Sequence, residues 1–221
     1  DVLVHVVDFS GETDIEGEPT EGHDPREDIA FLEEELDQWY LDILEKGLER
    51  YRSGYHGTEG DVEVDLATQM DAFRTSEEEI KQVILALGLD LDPDSWSEDD
   101  KLEIARELRT RTKPMVVVAN KMDTPAAQEN YADITSDPAY DHLTIVPASA
   151  HAEKALKEGA EAGVVDYQAG EDGFSVEGDL SDDQRKGLER IRGFVSEYGG
   201  TGVQQALETA LFDELGALAV F

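Results

Sequence analysis

The stretch PMVVVANKMD, Pro114 to Asp123, decides the fold. From Met115 to Ala119 every residue is apolar, at odd and even positions alike. A strand with one wet face alternates between apolar and polar side chains. A run that is apolar on both faces suits a sheet covered on both sides, the usual setting of parallel strands. Two further runs of strand length, Val2 to Asp8 in DVLVHVVD and Leu143 to Pro147 in LTIVP, have the same character. Helical patterns separate the three. The expectation is therefore an α/β chain with three parallel strands and covering helices.

The connection between the first two strands is far too long for a single crossover helix. DPREDIAFLEEELDQWYLDILEKGLERY opens on Asp24 as N-cap, with Pro25 at the first helical position and Glu27 completing an acidic capping box. Ile29, Leu32, Leu36, Trp39, Ile43 and Tyr51 follow at helical spacing and predict an apolar stripe. A second helical stretch spans about Val64 to Arg74. A third begins at Ser76 with Glu79 reaching back, and a fourth begins at Ser97 in SEDD. Residues 13–112 thus read as a helical insertion, flanked by 1–12 and 113–221, which carry the strands. GYHGTEG, residues 54–60, reads as a linker between helices. After LTIVP come a helix near Ala152 to Ala162 and an irregular stretch, VVDYQAGEDGFSVEGD. A helix from Ser181 to about Tyr198 and a last helix from Gly202 to about Leu215 complete the chain.

The 221 residues hold 18 Lys plus Arg against 53 Asp plus Glu, a formal charge of −35. The acids are spread through every segment and interrupted by apolar positions, which is the pattern of an acidic folded surface and not of a disordered tail. Such a surface fits a salt-rich cytoplasm, where a Debye length of about 3 Å at 1 M screens self-repulsion. It argues against direct binding of DNA through a basic face. There is no cysteine, so neither a disulfide framework nor a thiolate metal site is available. No run approaches the roughly 18 apolar residues of a membrane helix. DVLVHVVD is not a signal peptide, and both ends, the second of them GALAVF, read as cut from a longer protein.

The loop after the central run, Asn120-Lys121-Met122-Asp123, fits N-K-x-D. A carboxylate at Asp123 can accept two parallel hydrogen bonds from the N1–H and 2-amino groups of guanine. Adenine offers an acceptor at N1 and no 2-amino group. A site built on such paired bonds discriminates by about 10⁴ or more. Lys121 can lay its methylene stem across the base while its ammonium stays solvated. Asn120 has donors and acceptors with which to tie neighbouring loops together. Four residues alone are a weak signal, but these lie at the carboxyl end of a parallel strand, where open α/β sheets bind ligands. The next strand ends in PASAHAE, and its Ser149-Ala150 fits a turn whose backbone N–H reaches guanine O6. The competing structural role is that Asp123 merely caps the helix that follows.

DVLVHVVDFSG, the long helical insertion, KPMVVVANKMD, PASAHAE and GGTGVQQAL together resemble the YchF-type branch of the Obg-like P-loop GTPases, in its archaeal form. The resemblance covers essentially the whole chain. It implies a partial P-loop GTPase domain with the MVVVA strand internal and the other two on its flanks. It also implies binding of GTP and GDP, hydrolysis of GTP, a ribosome-associated role and a cytoplasmic location. The phosphate loop, the magnesium-binding switch residue and D-x-x-G would lie before Asp1, and a TGS domain would lie after Phe221. Mg²⁺ and every catalytic residue are accordingly expected outside these residues. Bacterial members carry N-x-x-E and prefer ATP, so Asp123 implies GTP.

Other patterns are decoys. DIEG, Asp14 to Gly17, matches D-x-x-G but reads as an acidic turn. GGTG at Gly199 reads as a C-cap and turn. His5, His23, His56, His142 and His151 have no metal-ligand spacing; His5 reads as a core residue, His151 as a neighbour of the base site, and Trp39 as core. The alternative to a nucleotide-binding function is a non-enzymatic acidic helical module that docks a partner, with the nucleotide loop idle.

Overall fold

A computed structural model of the chain describes residues 1–53 and 61–218; the GYHGTEG linker and the last three residues of GALAVF lie outside them. The first strand, β1 (Leu3–Asp8), is followed by α1 (Pro25–Arg52), α2 (Val62–Gln69), α3 (Glu77–Ala86) and α4 (Glu98–Thr112). Then come β2 (Met115–Asn120), α5 (Pro125–Thr135), β3 (Thr144–Pro147) and α6 (Ala150–Glu161). A short antiparallel ribbon, β4 (Val165–Asp166) with β5 (Ser175–Val176), precedes α7 (Asp182–Tyr198) and α8 (Val203–Glu208). The last helical turns, Thr209–Glu214, are π-helical.

β1, β2 and β3 form one parallel sheet with β2 in the centre. Every residue of β2 from Met115 to Ala119 is buried, as a run apolar on both faces requires. The ladder pairs Asp8 with Asn120 and Ala119 with Pro147. Parallel register therefore brings three carboxyl ends to one edge of the sheet. On one face Ala206 and Ala210 pack against Val116, Val118 and Val146. The irregular stretch after α6 holds the small β4–β5 ribbon, which the sequence pattern did not predict.

The described residues divide into two compact units, 2–29 with 115–218, and 30–114 with Asp1. The insertion was expected from residue 13, but residues 13–29 take their contacts in the sheet-bearing unit. The other unit is helical. Its core joins Tyr40, Leu44 and Leu48 of α1 to Leu66 of α2, Ile80, Val83 and Ile84 of α3, and Ile104 and Leu108 of α4. Each such side chain stabilises the fold by about 1.5–3 kcal/mol on burial. The predicted stripe on α1 is rotated. Trp39 is not core: it is 44% exposed, edge-on to Tyr40 and Phe73 with the Lys113 ammonium over its ring. Asp37 is the residue that turns inward, 4% exposed, where it accepts from Arg106 at 2.9 Å and Arg109 at 2.5 Å.

The predicted capping box at Ser76–Glu79 forms, and boxes also close at Ser97–Asp100 and Ser181–Gln184, where the sequence marked helix starts. At α1 the Asp24 carboxylate accepts from Arg26 N, whereas Glu27 lies 3.8 Å from the His23 ring. DIEG is a turn, as read: Asp14 Oδ1 accepts from Glu16 N and Glu18 N.

Among the described residues, the outer edge of β1 pairs with no strand, and Val4 and Val6 are 42% and 59% exposed. An apolar strand with an open row of N–H and C=O groups recruits another chain. The 221-residue chain is therefore expected to self-associate, and Val6→Lys to reduce that association. Light scattering across a dilution series checks this; a monomer at every concentration would contradict it.

Candidate functional site

The site is built where β2 and β3 end. β2 delivers Asn120 and then turns sharply, with Lys121 in the left-handed region at φ 64°. Met122 follows, fully buried; its backbone N–H donates to Ala148 O at 3.1 Å. Met122 thus serves the loop through its backbone while its side chain fills the core. Asp123 comes next, half-buried, and it does not cap α5. The cap is Thr124, whose hydroxyl accepts from Ala127 N at 3.4 Å, with Pro125 at the first helical position. That removes the purely structural role considered for Asp123.

β3 delivers Ser149, which is the N-cap of α6 and is completely buried. The helix starts at Ala150, two residues before the sequence pattern placed it. Ser149 Oγ accepts from Ala152 N at 3.0 Å and donates to Asp123 Oδ1 at 2.5 Å. Ala150 N donates to Asn120 Oδ1 at 3.1 Å. The two loops are therefore joined by these two side-chain bonds and by the backbone bond from Met122 to Ala148, and all six predicted residues, Asn120 to Asp123 with Ser149 and Ala150, gather at one edge of the sheet. The Ala150 N–H predicted to reach a ligand oxygen is engaged by Asn120 in this arrangement. Beside Asp123 and His151 a cavity of about 450 Å³ opens between α6 and α7, walled by Ala155, Leu188 and Ile191.

A support for this turn was not legible in the sequence. Ser149 N donates to Thr201 O at 2.9 Å, so the GGTG segment braces the Ser149 turn in addition to ending α7. Thr201 Oγ1 donates to buried Glu153 at 2.6 Å, Tyr167 OH donates to the same carboxylate at 2.7 Å, and Lys157 pairs with it at 2.8 Å. Burial pushes the Glu153 carboxyl up, but those three partners outweigh it and leave it below the usual range. Burial, with the anionic Glu153 as its acceptor, holds the Tyr167 hydroxyl up at about 12. The signal available in the sequence was only the pair of glycines.

His5, His23, His142 and His151 are not gathered, and His56 lies outside the described residues; among the described residues no group of three or more His, Asp or Glu could hold a metal ion. No helix among them is long and apolar enough to cross a membrane.

Residues 118–221 match the family described as Obg-like GTPase YGR210-like, G4 motif-containing domain. Over its full length the chain is 34% identical to an uncharacterized GTP-binding protein of Methanocaldococcus jannaschii, of which it covers 55%. It is 29% identical to an uncharacterized GTP-binding protein of Schizosaccharomyces pombe, of which it covers 56%. The crystal structure of a GTP binding protein from Pyrococcus horikoshii OT3 is similar at TM-score 0.74 and 33% identity, over 96% of this chain and 57% of that one. The chain spans little more than half the length of the relatives that it matches.

Gly202 shows how tightly the brace is fitted. It has φ 80°, and a Cβ there would meet Pro147 O at 2.0 Å and Ala148 Cα at 2.6 Å. Gly202→Ala is expected to destabilise the chain by more than about 1 kcal/mol. Gly193→Ala, on α7 with open space around it, should stabilise by roughly 0.5–1 kcal/mol. Urea unfolding of the two variants checks both signs.

Proposed function

We propose that this chain supplies the guanine-recognition part of an Obg-like GTPase that binds GTP and hydrolyses it to GDP. The observation that carries the reading is the junction of the two loops, Ser149 Oγ on Asp123 Oδ1 and Ala150 N on Asn120 Oδ1. The GTP-binding descriptions of the relatives support it. The proposal is made at the level of the Obg-like GTPases; within them the matching family carries the YGR210-like description, and the YchF-type branch rests on the resemblance alone.

In this reading Asp123 Oδ1 accepts from Ser149 and still has a lone pair for guanine, while Oδ2 receives the second bond. The N1–H and 2-amino groups then donate to the carboxylate, the Lys121 stem covers one face of the ring, and the Ala150 N–H turns from Asn120 Oδ1 toward O6. Hydrolysis needs a phosphate cradle and Mg²⁺.

Asp123→Asn in the full-length protein should weaken GDP and shift preference toward xanthosine diphosphate, whose 2-oxo group accepts from an amide donor. Exchanging carboxylate for amide leaves paired groups mismatched with guanine, a loss of about 10²-fold or more. Displacement of a fluorescent GDP analogue by GDP, xanthosine diphosphate and ADP measures it. Unchanged guanine preference would remove Asp123 from the site.

The charge of −35 supports a halophilic setting as part of the same proposal. With so few cations to offset 53 carboxylates, lowering KCl from molar to millimolar lengthens the Debye screening length from about 3 Å to tens of ångströms. The melting temperature is expected to fall over that range. A flat profile would refute the halophilic reading.

A further inference from the structure

Asp8 stands directly opposite Asn120 in the β1–β2 ladder. One residue further on, the Lys121 ammonium lies 3.0 Å from Asp8 Oδ2 and 3.3 Å from Glu12 Oε2. Lys121 is therefore fixed at both ends. Its backbone occupies the left-handed region, where a residue with a side chain is strained and must be held by its surroundings. Its head is held by two carboxylates.

We propose that Asp8, with Glu12 as its second arm, is a positioning residue for guanine recognition: it holds the Lys121 stem as a preformed wall of the base site. The inference rests on reading Asn120 to Asp123 as that site. The Asp8 carboxylate is itself immobile. Oδ1 accepts from Ser10 N at 2.9 Å and Ser10 Oγ at 2.6 Å, while Oδ2 accepts from Thr13 N at 3.1 Å and Thr13 Oγ1 at 2.6 Å. Burial pushes the Asp8 carboxyl up, but the bonds from Ser10, Thr13 and Lys121 outweigh it and hold it at about 2. Burial pushes the Lys121 ammonium down, and the bonds to Asp8 and Glu12 outweigh that in turn and leave it above its usual value. Both shifts favour the charged forms of the pair.

A lysine has one of the largest rotamer entropies of any side chain. If its stem were ordered only when a base arrived, binding would bear that cost. Ordering by Asp8 in the ligand-free protein moves it into folding, which is preorganisation. The chemistry at the sheet edge also selects this pair. Asp8 is at the end of a strand and five donors converge on it.

A network this dense also shapes the DFSGET turn, so loss of affinity alone would not separate positioning from local folding. A double-mutant cycle does. GDP affinity of the full-length protein is measured by displacement of a fluorescent GDP analogue for wild type, Asp8→Asn, Lys121→Ala and the double variant. If Asp8 acts through Lys121, Asp8→Asn weakens GDP ~10-fold in the wild-type background and less than ~2-fold once Lys121 is alanine, a coupling in the range measured for contacting groups. Asp8→Glu, which keeps the charge, should recover most of the affinity. Equal losses in both backgrounds, or no loss in either, overturn the proposal. If Asp8→Asn does not fold, Glu12→Gln takes its place, with a smaller loss that must likewise vanish beside Lys121→Ala; a loss that persists there overturns the proposal. Asp123→Asn run alongside tells the two readings apart: if it leaves guanine preference unchanged, the base site itself is misplaced and the positioning proposal falls with it.

Discussion

The ladder of β2 is the constraint on which the sheet-bearing unit depends. β2 is paired on both sides and buried on both faces, so its backbone groups and side chains are satisfied by its neighbours alone. Such a strand cannot slip by one residue without turning polar Asn120 inward. Its end is therefore placed to within a hydrogen bond, and so are the ends of β1 and β3, which are in register with it. The polar residues that follow inherit that accuracy: Asp8 meets Lys121 on one side of the β2 end, and Ser149-Ala150 meets Asp123 and Asn120 on the other.

The sheet was legible because the apolar runs are long, β-branched and of period one. The helix starts at Ser76, Ser97 and Ser181 were legible because their signals are local: a serine and an acceptor three residues on, with no tertiary input. The α1 stripe was misread because a pattern of apolar residues cannot reveal a buried acid. Asp37 occupies an inward position and is paid for by Arg106 and Arg109, which lie about seventy positions further along the chain. The inward face therefore runs through Asp37, Tyr40 and Leu44, one position on from Leu36, Trp39 and Ile43. The β4–β5 ribbon was missed for a different reason: two-residue strands have no periodicity to detect.

Of the candidate site, the gathering of the six residues was legible and most of the bonds between them were not. NKMD and Ser149-Ala150 announced their chemistry through residue type and position at strand ends. That Ser149 donates to Asp123, that GGTG braces the turn behind it, and that Asp8 receives Lys121 are all contacts between segments far apart in sequence. Asp8 in particular was read only as the last residue of a strand. Its spacing to Ser10 and Thr13 permits an Asx-type turn, but nothing local points to a lysine 113 positions away.

If the site reads guanine as proposed, the same bonds decide what kind of binding it gives. Two of its polar groups, the Asp123 carboxylate and the Ala150 N–H, already have partners in the absence of a base. A guanine must share or replace those bonds, so the exchange adds little net affinity, since each protein bond lost offsets a ligand bond gained. It adds selectivity, because a base that cannot supply the replacement gives nothing back for the protein bonds it displaces. Weak affinity with strong discrimination is what a base reader needs when the strong hold on a nucleotide comes from phosphate contacts. A site of this kind names the ligand and leaves its retention to other groups. For such a reader rigidity matters more than affinity, and the bonds behind the six loop residues, from Asp8 on Lys121 to Thr201 on Ser149, supply it.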